Sequence, residues 1–269
     1  MGSDALCGAQ TGYLLDNAGP EAPTRFAALS ELFDAGTIRH LQARGVASGW
    51  RCLEVGAGSG SVARWLAERV APEGRVLATD IDPRHLEAVR LANFEVRRHD
   101  ISVDPLPECA FDLVHARLVL MHLPERSRVL TRLISSLKPG GWLVDEEYDS
   151  CSLPPDPQLG SGEVLLRTQA AVWKLLEDRG VDLQFGRRLF GELRSQGLAD
   201  VGAEGRVVMS HHGSPGASIV RANFEQLREL MIGGNYVSPQ QFGHDLARLD
   251  EPDFMAPSSI LWSAWGRRP

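Results

Sequence analysis

Between residues 50 and 148 the chain alternates short β-rich runs with helical patterns, and this alternation constrains the fold more than any other feature. The runs WRCLEV (50–55), RVLATD (75–80), FEVRRHD (94–100), FDLVHARLVL (111–120) and GGWLVDEEY (140–148) have the composition and length of strands. Between them Val62, Leu66 and Val70 recur at helical spacing, and so do Leu130, Leu133, Ile134 and Leu137, a stripe that KPGG (138–141) stops. Asp82 followed by Pro83 predicts a capped helix over DPRHLEAVRLA (82–92). Such an order builds a parallel sheet with helices on both faces, and ligands of such sheets sit beyond the carboxyl ends of the strands.

The flanks add helices. PTRFAALSELFDAGTIRHLQARGV (23–46) precedes the core, and GEVLLRTQAAVWKLLEDRG (162–180) and RRLFGELRSQG (187–197) follow a Pro/Gly/Ser-rich connector at 152–162. Two terminal strands, ADVGAEGRVVMSHH (199–212) and SSILWSAWG (258–266), enclose the amphipathic stretch SIVRANFEQLRELMIGG (218–234), in which Val220, Phe224, Leu227 and Met231 share a face. The organisation expected is an N-terminal helical arm or lid over 1–48 and one domain over 49–269. That domain divides into a cofactor-binding core at 50–150 and acceptor-side helices with an insertion at 160–255.

The stretch LEVGAGSGSVARWLA (53–67) places three glycines at alternate positions between a strand and a helix. A dinucleotide fingerprint needs a last glycine where Ser61 stands, and a phosphate-binding loop needs a Gly-Lys-Ser/Thr that is absent here. What remains is Glu54-x-Gly56-x-Gly58-x-Gly60, which resembles the first motif of the class I S-adenosylmethionine-dependent methyltransferases. Four further segments resemble the same family in the same order. RVLATDIDP ends its strand at Asp80, 22 residues after Gly58; RRHDIS carries Asp100 and Ile101; FDLVHARLVLMHLPE and LKPGGWLVDEEY resemble the fourth and fifth strands. The resemblance spans roughly residues 50–150.

The resemblance implies an α/β fold with a Rossmann-like sheet, helices on both faces, an N-terminal helical arm and a helical insertion between the last two strands. It implies S-adenosylmethionine as cofactor and S-adenosylhomocysteine as product. Gly56, Ala57, Gly58 and Gly60 would let the cofactor approach the backbone, and Glu54 would favour its ammonium group. Asp80, with Ile81 beside it, would accept from the ribose hydroxyls, Asp100 and Ile101 would take the adenine, and Ala116, Arg117 and Leu118 would lie beside the methionine moiety. Tyr13, in an apolar GYLLDN stretch that also offers Asn17 and Arg25, would close over the sulfonium.

Methyl transfer from a sulfonium is an in-line displacement, so positioning supplies much of the acceleration and a general base is optional. The candidate catalytic residues are His122, Glu146, Tyr13 and His211. Glu146 and Glu147 adjoin on one strand and cannot both face the same side. Trp173, Phe224 and Tyr236 are candidate walls for a flat acceptor.

The charge balance of 28 basic against 35 acidic residues, net -7, disfavours a nucleic-acid partner and leaves a small-molecule acceptor, aromatic or a natural-product intermediate, as the expected substrate. A protein or RNA acceptor, or a noncatalytic cofactor-binding regulator, is the alternative. A nicotinamide oxidoreductase is the weakest, since neither Lys138 nor Lys174 follows a Tyr at the Tyr-x-x-x-Lys spacing. Cys7, Cys52, Cys109 and Cys151 form no metal-ligand spacing, and neither a signal peptide nor a membrane span is read in the chain. A cytoplasmic monomer or homodimer without a metal follows as the expectation, and the arginine excess suits a bacterial, G+C-rich source.

Overall fold

The alternation of side chains along the inner strands decides which helices cover which face. In the computed structural model, which describes residues 13–152 and 162–269, strands β1 (Arg51–Val55), β2 (Arg75–Asp80), β3 (Phe94–Arg98), β4 (Phe111–Arg117) and β5 (Leu137–Asp149) are parallel. Leu53, Val55, Val114, Ala116 and Leu143 belong to the core beneath helices α3 (Arg126–Ser136), α4 (Gly162–Asp178) and α5 (Phe185–Ser195). Cys52, Val76, Ala78, Leu113 and Val144 point the other way, to α2 (Ser61–Val70) and the end of α1 (Ala22–Ala43). Strands buried on both faces read as near-continuous apolar runs, which is why β1 and β2 are buried from their second residue onward.

With β6 (Ala199–Arg206) and β9 (Ile260–Arg267) the sheet has seven strands in the order β3-β2-β1-β4-β5-β9-β6, and β9 runs antiparallel to both neighbours. The order reverses between β1 and β4, so the crevice at their carboxyl ends is the ligand-binding position of a doubly wound sheet.

Three expectations change. The segment after Asp82 forms a short 3-10 turn, Pro83–His85, and a further turn closed by Val89 N on Leu86 O, in place of a helix over 82–92. Asp82 does cap the first through Arg84 N, yet Leu86 alone of these residues is buried, so no apolar face repays helix nucleation. Lys138-Pro139-Gly140-Gly141 lies inside β5, which starts at Leu137 directly after α3. The strand expected over 199–212 ends at Arg206, because the chain leaves the sheet and forms a two-stranded ribbon of β7 (Met209–His211) with β8 (Met255–Pro257).

That ribbon closes the insertion, which holds α6 (Pro215–Gly233) and a second helix, α7 (Pro239–Arg248), that the sequence reading lacks. Each begins with the same device: Ser214 caps Ala217 N before Pro215, and Ser238 caps Gln241 N before Pro239. Helix α6 packs along α1, so the insertion and the N-terminal helix together wall the crevice. Among the described residues no helix is long and apolar enough to cross a membrane.

Candidate functional site

The carboxyl ends of the central strands open on a cavity of about 420 Å³. In the loop at its floor, which Gly56 and Gly58 line, Gly56, Gly58 and the following Gly60 hold φ of 63°, 54° and 78°, a left-handed conformation that side chains rarely adopt. Space also excludes a side chain: a Cβ at Gly56 would come within 2.4 Å of Val119 Cγ2, and one at Gly58 within 2.7 Å of Phe26 Cε1. Ala57 N donates to Thr79 O at 2.9 Å, which ties the loop to β2. Gly60 caps α2 against Leu86 and does not border the cavity, a correction to its expected place.

Asp80, at the end of β2, accepts from Gly58 N at 2.9 Å through Oδ2, and from Asp82 N at 2.9 Å and Asn17 Nδ2 at 3.3 Å through Oδ1. Burial raises its pKa, and the Asp82 and Gly58 N–H groups oppose that. Asn17 O lies 2.8 Å from His85 Nε2, and Gln226 Nε2 of α6 donates to Asp16 O at 2.6 Å, so the segment before α1 is stitched over Asp80. Ile81, Asp100 and Ile101 border the cavity next to it. Asp100 is also a turn residue, accepting from Ser102 N at 2.9 Å.

After β4, Leu118 takes φ of 57°, uncommon for a residue with a branched side chain, and its N–H donates to Glu146 O at 2.8 Å. This turn brings Arg117, Leu118 and Val119 to the cavity. The Arg117 guanidinium is already engaged, donating to Asp34 Oδ1 at 2.9 Å and Thr37 Oγ1 at 3.0 Å. Ala116 is fully buried on the α3–α5 face and does not reach the cavity, because successive residues of a strand face opposite sides.

Tyr13 and His122 meet edge to face across the cavity wall, ring centroids 5.0 Å apart and planes at 89°. Burial, with Arg25 and Arg126 nearby, pushes His122 down to about 4, so its imidazole is neutral at neutral pH. Tyr13 keeps 43% of its surface exposed, and its phenol is protonated at neutral pH, as an ordinary tyrosine is.

The acids of β5 divide by face. Glu146 is fully buried on the α1–α2 side, where its Oε2 accepts from Thr37 and its Oε1 from Ser263, and it does not border the cavity. Its expected catalytic place is therefore corrected: the pleat turns it away from the cavity. Glu147, on the opposite side, accepts from Val119 N at 3.0 Å and Leu120 N at 2.6 Å and pins the turn after β4. Burial raises its pKa well above the ordinary range. His211 stands exposed on β7, Nδ1 2.8 Å from His212 O, and also lies outside the cavity, since β6 ended before it. Of the expected aromatic walls only Trp173 borders the cavity; Phe224 is core against Phe242, and Tyr236 donates to Asp178 at the surface.

Three residues absent from the sequence reading take part. Phe26 packs on the glycine loop, Asp149 borders the cavity clamped by Arg187 at 2.9 and 2.7 Å, and His115 joins Glu54 to Glu146 beneath the floor. Among the described residues no group of three or more His, Cys, Asp or Glu could hold a metal ion.

Residues 53–145 match the family model described as a methyltransferase domain. The methyltransferase str3 of Strobilurus tenacellus is 36% identical over 152 residues, covering 54% of this chain and 51% of that protein. The ubiquinone/menaquinone biosynthesis C-methyltransferase UbiE of Bordetella avium is 29% identical over 144 residues, 49% of this chain and 56% of that protein. The chain thus spans about half the length of these curated relatives. Among solved structures, a phosphoethanolamine N-methyltransferase 2 of Haemonchus contortus superposes with a TM-score of 0.62 at 17% identity, over 97% of this chain and 61% of that one. A methyltransferase-like protein of Bacillus halodurans superposes at 0.58 with 16% identity, over 86% and 98%. The chain carries a methyltransferase domain over residues 53–145, and its seven-stranded sheet is the fold of the class I S-adenosylmethionine-dependent methyltransferases.

Proposed function

We propose that this protein transfers a methyl group from S-adenosylmethionine to an O, N or C atom of a small-molecule acceptor. One observation carries the reading: a single cavity joins the glycine loop and Asp80 to an apolar chamber walled by Phe33, Val172, Trp173 and Phe254, with Tyr13 and His122 between. The residues fit the cofactor, because the left-handed glycine loop presents bare backbone to the cavity, with Val119 and Phe26 packed where side chains would stand, and the buried carboxylates of Glu54 and Asp80 lie in the two strands beside it. When bound, the cofactor supplies an electrophilic methyl on a sulfonium whose departure leaves a neutral thioether.

The chain's own residues then divide the work. Gly56, Ala57 and Gly58 admit the ligand to the backbone, Asp80 and Ile81 take the ribose, and Asp100 with Ile101 takes the adenine. Glu54 faces the ammonium, Arg117 and Leu118 border the methionine chain, and Tyr13 covers the reacting centre. His122, neutral and at the junction of the two halves, accepts a proton from an acceptor that must lose one. Residues of α1, α4 and α6 wall the chamber, a concave pocket that suits a small molecule better than a folded macromolecule. The name of the UbiE relatives and the S-adenosylhomocysteine in the Haemonchus structure support the reading.

Titration calorimetry with S-adenosylmethionine, S-adenosylhomocysteine and NAD tests the first half: micromolar binding of the first two without NAD is expected, and binding of NAD alone overturns it. Incubation with methyl-labelled cofactor and either small-molecule extracts or RNA and protein fractions tests the second. Label entering only the macromolecular fractions overturns the small-molecule acceptor, and binding without turnover on any fraction favours the regulatory alternative.

A further inference from the structure

Glu54 of β1, His115 of β4 and Glu146 of β5 lie on the α1–α2 face of three adjacent strands, with Glu146 two residues beyond Val144, the register partner of His115. The register opposes Glu54 to His115 directly. His115 is fully buried, with Nδ1 2.7 Å from Glu54 Oε2 and Nε2 3.4 Å from Glu146 Oε2. A neutral imidazole has one N–H and one lone pair, so it would set that lone pair against one of the two carboxylates. Only the imidazolium donates to both. Of the three residues only Glu54 borders the cavity.

The far end of the row is anchored in the arm. Glu146 accepts from Thr37 of α1 and from Ser263 of β9, while Arg117 donates to Thr37 and to Asp34. The charged groups around the His115 ring are therefore Glu54, Glu146, Asp145 and, through Thr37, Arg117. The two carboxylates push the ring's pKa up to about 10 against the opposing effect of burial.

We propose that His115 is a positioning residue for the cofactor's amino-acid end: as an imidazolium it donates to Glu54 and fixes Oε2, so that the rest of the carboxylate meets the ligand's ammonium. The proposal rests on the reading of the cavity as the S-adenosylmethionine site. The same row ties the carboxylate to α1, so the helix that walls the acceptor chamber also fixes the group that holds the cofactor. The signature is selective. A ligand that carries the amino-acid moiety feels His115, and one that lacks it does not.

The test compares S-adenosylhomocysteine with 5′-methylthioadenosine, which keeps the adenosine and the thioether sulfur but lacks the amino-acid group. Calorimetry on the full chain and on His115→Gln, Glu54→Gln and the double variant is expected to show roughly tenfold or greater weakening of S-adenosylhomocysteine in each single variant, with methylthioadenosine changed less than about twofold. The double variant is expected to be no weaker than Glu54→Gln alone, because both changes remove one interaction. Equal weakening of both ligands, or unchanged binding of S-adenosylhomocysteine in His115→Gln, overturns the proposal while leaving the cofactor site standing. A wild-type chain that binds neither ligand overturns the cofactor reading itself. Nitrogen-15 NMR of the unmodified protein supplies a check independent of folding in the variants: both ring nitrogens of His115 are expected to be protonated at neutral pH, and a neutral ring there refutes the proposal.

Discussion

Asp80 Oδ2 accepts the backbone N–H of Gly58 at 2.9 Å, and this bond joins the end of β2 to the glycine loop that follows β1. The carboxylate therefore has two tasks, since the atoms that would meet the ribose also steady the loop that admits the ligand. Ligand hydroxyls and loop N–H groups draw on the same two oxygens, which have about four acceptor sites between them. Asp82 N and Asn17 Nδ2 occupy part of that capacity on Oδ1.

Asp80→Ala is expected to weaken S-adenosylhomocysteine binding by about 1 to 3 kcal/mol, the usual cost of losing hydrogen bonds to a charged group. Asp80→Asn keeps one acceptor oxygen and is expected to fall between wild type and the alanine variant. Calorimetry reads both, and an alanine variant with wild-type affinity removes the ribose assignment.

Gly58→Ala is expected to damage the site in two separable ways. The position holds φ of 54°, which penalises any Cβ by roughly 1 to 2 kcal/mol. The new methyl would also collide with the Phe26 ring at 2.7 Å. Adding Phe26→Ala to the variant should relieve the collision and leave the backbone term, so thermal stability is expected to recover in part. Full recovery, or none, contradicts this division.

How much of this was legible depended on whether a residue acts along the chain or across it. Glu54, Gly56, Gly58 and Asp80 occupy strand ends and a loop whose spacing is visible in one dimension. His115 does not: its role exists only because β4 lies beside β1 and β5, and nothing in FDLVHAR distinguishes it from a core position. Glu146 lies away from the cavity because the pleat puts it on the α1–α2 face with Val144, a parity that the sequence leaves open until the helix covering each face is known. His211 lies outside the cavity for another reason. The strand carrying it broke at Arg206, where pairing with β9 stops and the ribbon with β8 begins. Helix α7 had a readable signal in Ser238-Pro239, the same pair that opens α6.

His122→Gln is expected to lower kcat by about 10²- to 10⁴-fold if the acceptor loses a proton to the imidazole, with cofactor affinity close to wild type. Because burial and the Arg25 and Arg126 charges hold His122 down to about 4, the wild-type ring stays neutral throughout the near-neutral range. The acidic limb of kcat/KM should therefore be absent between about pH 8 and about pH 6, where an ordinary histidine would begin to titrate. Undiminished turnover in the glutamine variant assigns His122 to packing against Tyr13 and not to proton transfer.

Asp145 gives the fold a pH dependence of its own. Neither of its carboxylate oxygens has a hydrogen-bond partner among the described residues, and burial pushes it up to about 7, with the His115 charge opposing and Glu146 adding. The unfolded chain releases this proton near pH 3.9, so between there and about pH 7 the folded state binds more protons and stability falls as pH rises. Glu146 works in the opposite sense at lower pH. It is held at about 2 by His115, Arg117 and Ser263 despite burial, so its contribution is complete above the ordinary glutamate value and fades only as pH drops toward 2. Asp145→Asn removes the first dependence and leaves the second. The variant should gain stability over wild type at about pH 8 relative to about pH 5 by at least ~1 kcal/mol, or roughly 2 to 4 °C in Tm. Thermal melts across that range decide it: parallel curves for the two proteins mean that Asp145 is ionised in the folded state like any exposed aspartate, and the unpartnered carboxyl beneath β5 then has a counter-charge that this arrangement does not supply.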